Sequence, residues 1–101
     1  MHVLEVRDYL VHVFREIMKG KNIGYQIHHY RSEIWTFVEG NGIFVLDGEE
    51  KKVNAGDTVV IPKEHYHAVK TITQLTFIEV QNGYPLIEED IERFSYEWNL
   101  F

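Results

Sequence analysis

The chain has 101 residues, 45% of them hydrophobic and 26% charged, with a formal charge of −6, which is enough for one domain around a single core. That acidic balance argues against a general nucleic-acid binder, which needs a basic patch, and there is no polybasic run for an anionic membrane. With no cysteine, the chain has neither a disulfide framework nor a thiolate metal site and needs no oxidising compartment.

The N-terminus, Met1 to Asp8, mixes charges early and lacks the apolar core of a signal peptide, and no segment is long enough to span a bilayer. A cytoplasmic location is the expectation. Val11 to Ile17 is rich in strand-forming residues and alternates imperfectly, ending at the turn signal Lys19-Gly20-Lys21-Asn22. Tyr25 to Tyr30 and Ile34 to Val38 read as strands on either side of a polar break at Arg31-Ser32. Glu39-Gly40-Asn41-Gly42 is a tight turn, because Gly and Asn tolerate positive φ.

Ile43 to Leu46 runs into a second hairpin signal at Asp47-Gly48, and Lys51 to Val53 runs into Asn54-Ala55-Gly56-Asp57. Thr58 to Ile61 stops at Pro62, which cannot donate to a ladder. Ala68 to Thr71 and Leu75 to Gln81 complete a set of short strands with Gly-rich turns, the pattern of an all-β sandwich or barrel. Pro85 to Phe94 differs. Leu86, Ile87, Ile91 and Phe94 fall near helical spacing with acids early in the segment, so a short C-terminal helix is expected there. With no linker, repeat or low-complexity tract, residues 1–101 read as one domain.

The residues that carry chemistry are Gln26, His28, Glu33 and His67. An amide oxygen, two imidazoles and a carboxylate make a mixed nitrogen and oxygen set suited to a borderline or hard divalent cation. Gln26 and His28, at i and i+2, share one face of a strand, and His29 points to the other face as a surface or interface residue. Each of these residues taken singly is more often an ordinary packed or solvated side chain; the joint spacing is what argues for a site.

The spacing Gly20, Gln26, His28, Glu33, Gly40 resembles the first cupin motif, with Gln26 where many cupins have a histidine, and Gly56, Pro62, His67 resembles the second. Within that superfamily the chain is similar to the C-terminal domain of type II mannose-6-phosphate isomerases, often fused to a guanylyltransferase. The matching residues are Gln26, His28, His29, Arg31, Glu33, Trp35, Ile61-Pro62, Ile78-Glu79-Val80-Gln81, Gly83, Glu89-Asp90-Ile91 and Arg93-Phe94.

The resemblance implies a cupin double-stranded β-helix, a jelly-roll barrel, holding one metal ion through Gln26, His28, Glu33 and His67. Zinc is the metal expected, with manganese, nickel or iron as alternatives. The implied reaction is interconversion of mannose 6-phosphate and fructose 6-phosphate through a cis-enediol, the sugar phosphate being the small-molecule partner. Arg31 beside the site could pair with a carboxylate or grip a phosphate, and Lys63, Lys70 and Arg93 are further cations for it.

Glu79 is a candidate base if its strand turns Leu75, Phe77, Glu79 and Gln81 inward; periodicity leaves the alternative face open. The catalytic candidates are thus Arg31, Glu79 and Lys63. His65 is read as a rim residue that could rival His67, His2 and His12 as solvated or packed, and Trp35 and Phe37 as core that could also wall a ligand.

The family's N-terminal Pro-Trp-Gly strand and terminal Tyr-Gly-Arg have no counterpart here, and Glu64 and Thr71 stand at a motif glycine and asparagine. A second reading is therefore a non-enzymatic metal- or sugar-binding module beside a nucleotide-sugar or polysaccharide enzyme. A third, a metal-dependent oxygenase, fits less well because Gln26 replaces a histidine. Small size and the apolar tail residues Trp98, Leu100 and Phe101, able to cap the barrel or pack on another subunit, lead to a homodimer as the expectation.

Overall fold

In a computed structural model the chain forms ten strands: β1 (His2–Val6), β2 (Tyr9–Met18), β3 (Asn22–Ile27), β4 (Arg31–Glu39), β5 (Asn41–Leu46), β6 (Glu49–Asn54), β7 (Thr58–Ile61), β8 (His67–Thr71), β9 (Leu75–Gly83) and β10 (Glu92–Phe94). The structure describes residues 2–6, 9–20 and 22–99, with residues up to 10 described as backbone only. Leu100 and Phe101 and the His2 side chain lie outside the described residues. No helix among them is long and apolar enough to cross a membrane.

The strands make two five-stranded antiparallel sheets, ordered β1-β2-β9-β4-β7 and β10-β3-β8-β5-β6. From β2 to β5, and again from β6 to β9, successive strands alternate between the sheets, so the chain winds around a shared interior as a double-stranded β-helix. The turns follow from residue chemistry. Asp47 (φ 48°) and Gly48 (φ 83°) give β5 and β6 the double positive-φ turn that matches strand twist. At Gly40 (φ 82°) a side chain is impossible, because a Cβ would lie 1.8 Å from the Gln74 carbonyl oxygen.

Alternation decides what fills the interior. Trp35 and Phe37 of β4, Leu75 and Phe77 of β9, and Val59 and Ile61 of β7 meet Phe44, Val53 and Val69 of the second sheet in one buried cluster. Trp35 stacks on Phe77 with ring centroids 4.6 Å apart and meets Phe44 edge-on at 5.6 Å. The same inward face of β4 and β9 carries Glu33, Glu79 and Gln81, all buried. The choice of faces for Glu79 is thereby settled: it points inward.

Two expectations are corrected. The segment from Pro85 to Phe94 is not helical; a turn at Glu88-Glu89 leads into β10, which pairs with β3 at Arg93↔Gln26 and Phe94↔Tyr25. Tertiary bonds override the helical pattern, because Asp90 spends its backbone and side-chain acceptors on the corner after β3. The break in the chain also falls earlier than Arg31-Ser32: β3 ends at Ile27, and Arg31 opens β4. The Asp90 carboxylate accepts the backbone N–H groups of His29 (2.7 Å) and Tyr30 (3.0 Å), removing them from any ladder.

Candidate metal centre

Three strands and one corner bring the site together. β3 delivers Gln26, the corner just past its end delivers His28, β4 delivers Glu33, and the first residue of β8 is His67. Register does the aligning, since Gln26 lies opposite His67, and Glu33 lies between Ile61 on one side and Gln81 on the other. All four side chains are buried.

Ligand atoms of His28, Glu33 and His67 lie within 4.8 Å of one another. His28 Nδ1 donates to the Asp90 carbonyl at 2.6 Å, and His67 Nδ1 donates to the His65 carbonyl at 3.0 Å. Both rings are therefore held in the tautomer that leaves Nε2 bare, and His28 Nε2 sits 3.2 Å from Glu33 Oε2. Burial pushes both histidines below their ordinary range, partly offset by those carbonyl bonds, which favours the neutral, ligating form.

Glu33 is oriented by two donors, Trp35 Nε1 to Oε1 at 2.8 Å and Arg31 Nε to Oε2 at 2.8 Å. Gln26 turns its amide nitrogen toward His67 Nε2 (3.5 Å) and its oxygen toward Arg93 Nη1 (3.5 Å); a half-turn of the amide would offer the oxygen instead. The donor set suits a divalent ion: two neutral imidazoles and a carboxylate, each with an orienting partner, and an amide beside them.

The catalytic candidates are distributed unevenly. The Arg31 guanidinium is at the site, paired with Glu33 and 3.3 Å from His28 Nε2. Glu79, opposite Trp35 on β9, has its carboxyl pushed up to about 7, first by burial and then by the charge of Glu33, and Gln81 Nε2 donates to it at 2.5 Å. Glu16 on β2 is also raised, by burial and then by the charge of Glu33.

Lys63 lies exposed after β7, lining a shallow recess with Ser32, Asn82 and Gly83 on the outer side of the first sheet, at the end where Arg31 begins. Of the other cations, Arg93 reaches Gln26, whereas Lys70 stands 5.5 Å over the Trp98 ring on the second sheet.

His65 is a rim residue, bonding Asp47 Oδ2 at 2.5 Å through Nδ1. His29 bonds Glu92 and does not face the triad. His12, which carries no spacing signal, lines a cavity of about 320 Å³ with Phe14, Arg31, Gln81, Leu86 and Ile87. Register is what finds it, because His12 lies opposite Gln81, which lies opposite Glu33. The imperfect alternation of Val11 to Ile17 hides that inward face of His12, Phe14 and Glu16. Asp90 is the other residue whose part at the site sequence spacing does not reveal.

The chain is similar to known proteins in sequence and in fold. A family model described as mannose-6-phosphate isomerase C-terminal matches residues 2–96. The chain is 31% identical over 81 residues to the mannose-1-phosphate guanylyltransferase of Escherichia coli K12, covering 78% of this chain and 17% of that protein. It is 32% identical over 81 residues to the alginate biosynthesis protein AlgA of Pseudomonas putida, again covering 78% and 17%. The chain thus spans less than a fifth of the length of these relatives.

Among solved structures, a double-stranded β-helix protein from Klebsiella pneumoniae superposes with a TM-score of 0.70 at 19% identity, covering 93% of this chain and 82% of that one. A protein described as a predicted oxalate decarboxylase from Thermotoga maritima superposes at 0.60 and 23%, covering 72% and 63%. These two likenesses establish the cupin fold.

Proposed function

Because the chain belongs to the mannose-6-phosphate isomerase C-terminal family, we propose that it holds one divalent metal ion through His28, Glu33, His67 and Gln26 and interconverts mannose 6-phosphate and fructose 6-phosphate. The observation that carries this reading is the convergence of two bare imidazole nitrogens and an oriented carboxylate within 4.8 Å, beside an open cavity. Zinc is the first metal proposed, and manganese, nickel or iron would suit the same donors. When bound, the ion would supply Lewis acidity to the sugar oxygens at C1 and C2.

The protein's own groups do the rest. Gln81, Arg31 and His12 line the cavity in which the open-chain sugar would lie. Glu79 would take the proton from C2 of mannose 6-phosphate and return it to C1, while a proton moves from the C2 oxygen to the C1 oxygen, so that no atom is gained or lost. A carboxyl group poised near 7 can both accept and return a proton near neutral pH. Arg31 holds Glu33 in place, and Arg93, which reaches Gln26, would serve the phosphate end, whereas Lys63 lies in the outer recess.

A second reading is a module that binds a sugar phosphate without turning it over. What supports it is the engagement of Arg31 by Glu33 and the nucleotide-sugar enzymes among the relatives. Incubating the zinc-loaded protein with mannose 6-phosphate decides between the two. Formation of fructose 6-phosphate supports the isomerase; saturable binding without product supports the module.

A further inference from the structure

Two acceptor atoms of the candidate centre face each other. His28 Nε2 lies 3.2 Å from Glu33 Oε2, and His28 Nδ1 is the nitrogen that donates, to the Asp90 carbonyl. Two electron-rich atoms so close repel unless positive charge lies against both. Here that charge is the Arg31 guanidinium. Its Nε–H reaches Glu33 Oε2 at 2.8 Å and its Nη2–H reaches His28 Nε2 at 3.3 Å, so one planar cation spans both atoms.

His28 Nε2 has a single lone pair. It can accept the Nη2–H of Arg31 or ligate a metal ion at about 2.0–2.1 Å, and it cannot do both. Glu33 is less constrained, because a carboxylate has several acceptor positions and Trp35 Nε1 holds Oε1 independently at 2.8 Å. Arg31 also lines the cavity of about 320 Å³, together with His12, Gln81 and Glu88. Of the five N–H donors of a guanidinium, two are engaged among the described residues, which leaves the others for a ligand in that cavity.

We propose that Arg31 is a placeholder cation: a divalent ion displaces its Nη2 from His28, and the freed edge of the guanidinium then binds an oxyanion of the ligand in the cavity. The proposal rests on the metal site proposed above and gives it an order, metal first and anionic ligand second. The ion takes the lone pair that Nη2 used, and its charge repels the guanidinium at short range. The Nε bond to Glu33 is the pivot, so the carboxylate is not released as the plane turns. Competition and support differ in sign. Removing a residue that only supported Glu33 would weaken metal binding, whereas removing a competitor tightens it.

Calorimetric titration of zinc into the wild type, Arg31→Ala and Arg31→Gln, and of mannitol 6-phosphate into each protein with and without zinc, tests this. Mannitol 6-phosphate has no carbonyl and cannot be isomerised. Both variants should bind zinc about tenfold more tightly than the wild type, a coupling of the size usual between two ligands of one protein. In the wild type, zinc should raise the affinity for mannitol 6-phosphate by about tenfold, and in the variants by less than about twofold. That contrast separates a contact with Arg31 from direct ligation of the ion by the sugar alcohol. Arg31→Gln keeps an N–H donor for Glu33, so the test stands if Arg31→Ala fails to fold. Equal or weaker zinc binding by the variants, or a zinc effect on mannitol 6-phosphate that persists in them, would overturn the proposal. None of these readouts needs turnover. A lack of fructose 6-phosphate formation removes the isomerase reading alone, whereas a wild type that binds no zinc removes the metal site and this proposal with it.

Discussion

His28 and Asp90, 62 residues apart, are joined by a 2.6 Å hydrogen bond from the imidazole Nδ1–H to the Asp90 backbone carbonyl, while the Asp90 carboxylate takes the N–H groups of the next two residues. A remote strap thereby fixes the tautomer and direction of a metal-ligand candidate. The strap also walls the cavity with Leu86 and Ile87.

Asp90→Asn leaves one acceptor oxygen where two backbone donors need one each. Loosening an orienting partner of a ligating histidine typically costs 10–100-fold in metal affinity, so zinc affinity should fall about tenfold or more in a competition titration. His29→Ala, which removes an exposed ring outside the triad, should leave that affinity within a factor of about two. Equal affinities in wild type and Asp90→Asn would remove the positioning role.

Arg31 and Glu33 form a partly buried pair, 13% and 2% exposed at the side chains. Arg31→Ala leaves the Glu33 carboxylate buried without its cation, a change that typically costs about 3 kcal/mol or more. In urea unfolding with chelator present, the variant should lose about that much. Added zinc should restore more stability to the variant than it adds to wild type, because the ion brings its own positive charge. An equal zinc effect in both proteins would count against Glu33 as a ligand.

Glu79 gives a pH signature with an unusual sign for a carboxyl group. Its folded value, about 7, lies above the ordinary 4.5, so the folded state holds the proton more tightly than the unfolded one. Its contribution is full below about pH 4.5 and is lost as pH rises to about 7, by up to about 3 kcal/mol. In metal-free protein, the stability of wild type relative to Glu79→Gln should therefore decline through that window. His28 and His67 act in the opposite direction below their ordinary range, and taking the difference between the two proteins cancels them. A difference that is flat with pH would refute the buried carboxyl. The same substitution should abolish isomerisation while leaving zinc affinity unchanged.

The legibility of this chain follows from which interactions are local. Hairpin chemistry at Asp47-Gly48, the stop at Pro62 and the alternation of β4 and β7 are written in neighbouring residues, and these elements are where the sequence puts them. The gathering of His28, Glu33 and His67 was legible only in part, because the short step from His28 to Glu33 is local, whereas His28 comes from the corner after β3, where the i and i+2 rule of a strand does not apply.

The tail was not legible. Ile87, Ile91 and Phe94 fit a helix as well as a strap, and only bonds to residues some 60 positions away distinguish the two. Nor could periodicity choose the face of β9, where both alternatives carry apolar residues; the ladder to Glu33 and Trp35 makes that choice. His12 was missed because its partner across the sheet, Gln81, is distant in sequence.

The most direct test of the central claim, that side chains from β3, β4, β8 and the corner after β3 together hold one metal ion, is the stoichiometry and affinity of zinc for the wild type and for His67→Ala by calorimetry. The account predicts one ion per chain in the wild type and a loss of a hundredfold or more in affinity in the variant. Tight zinc binding that His67→Ala leaves unchanged, or none in the wild type, would contradict it.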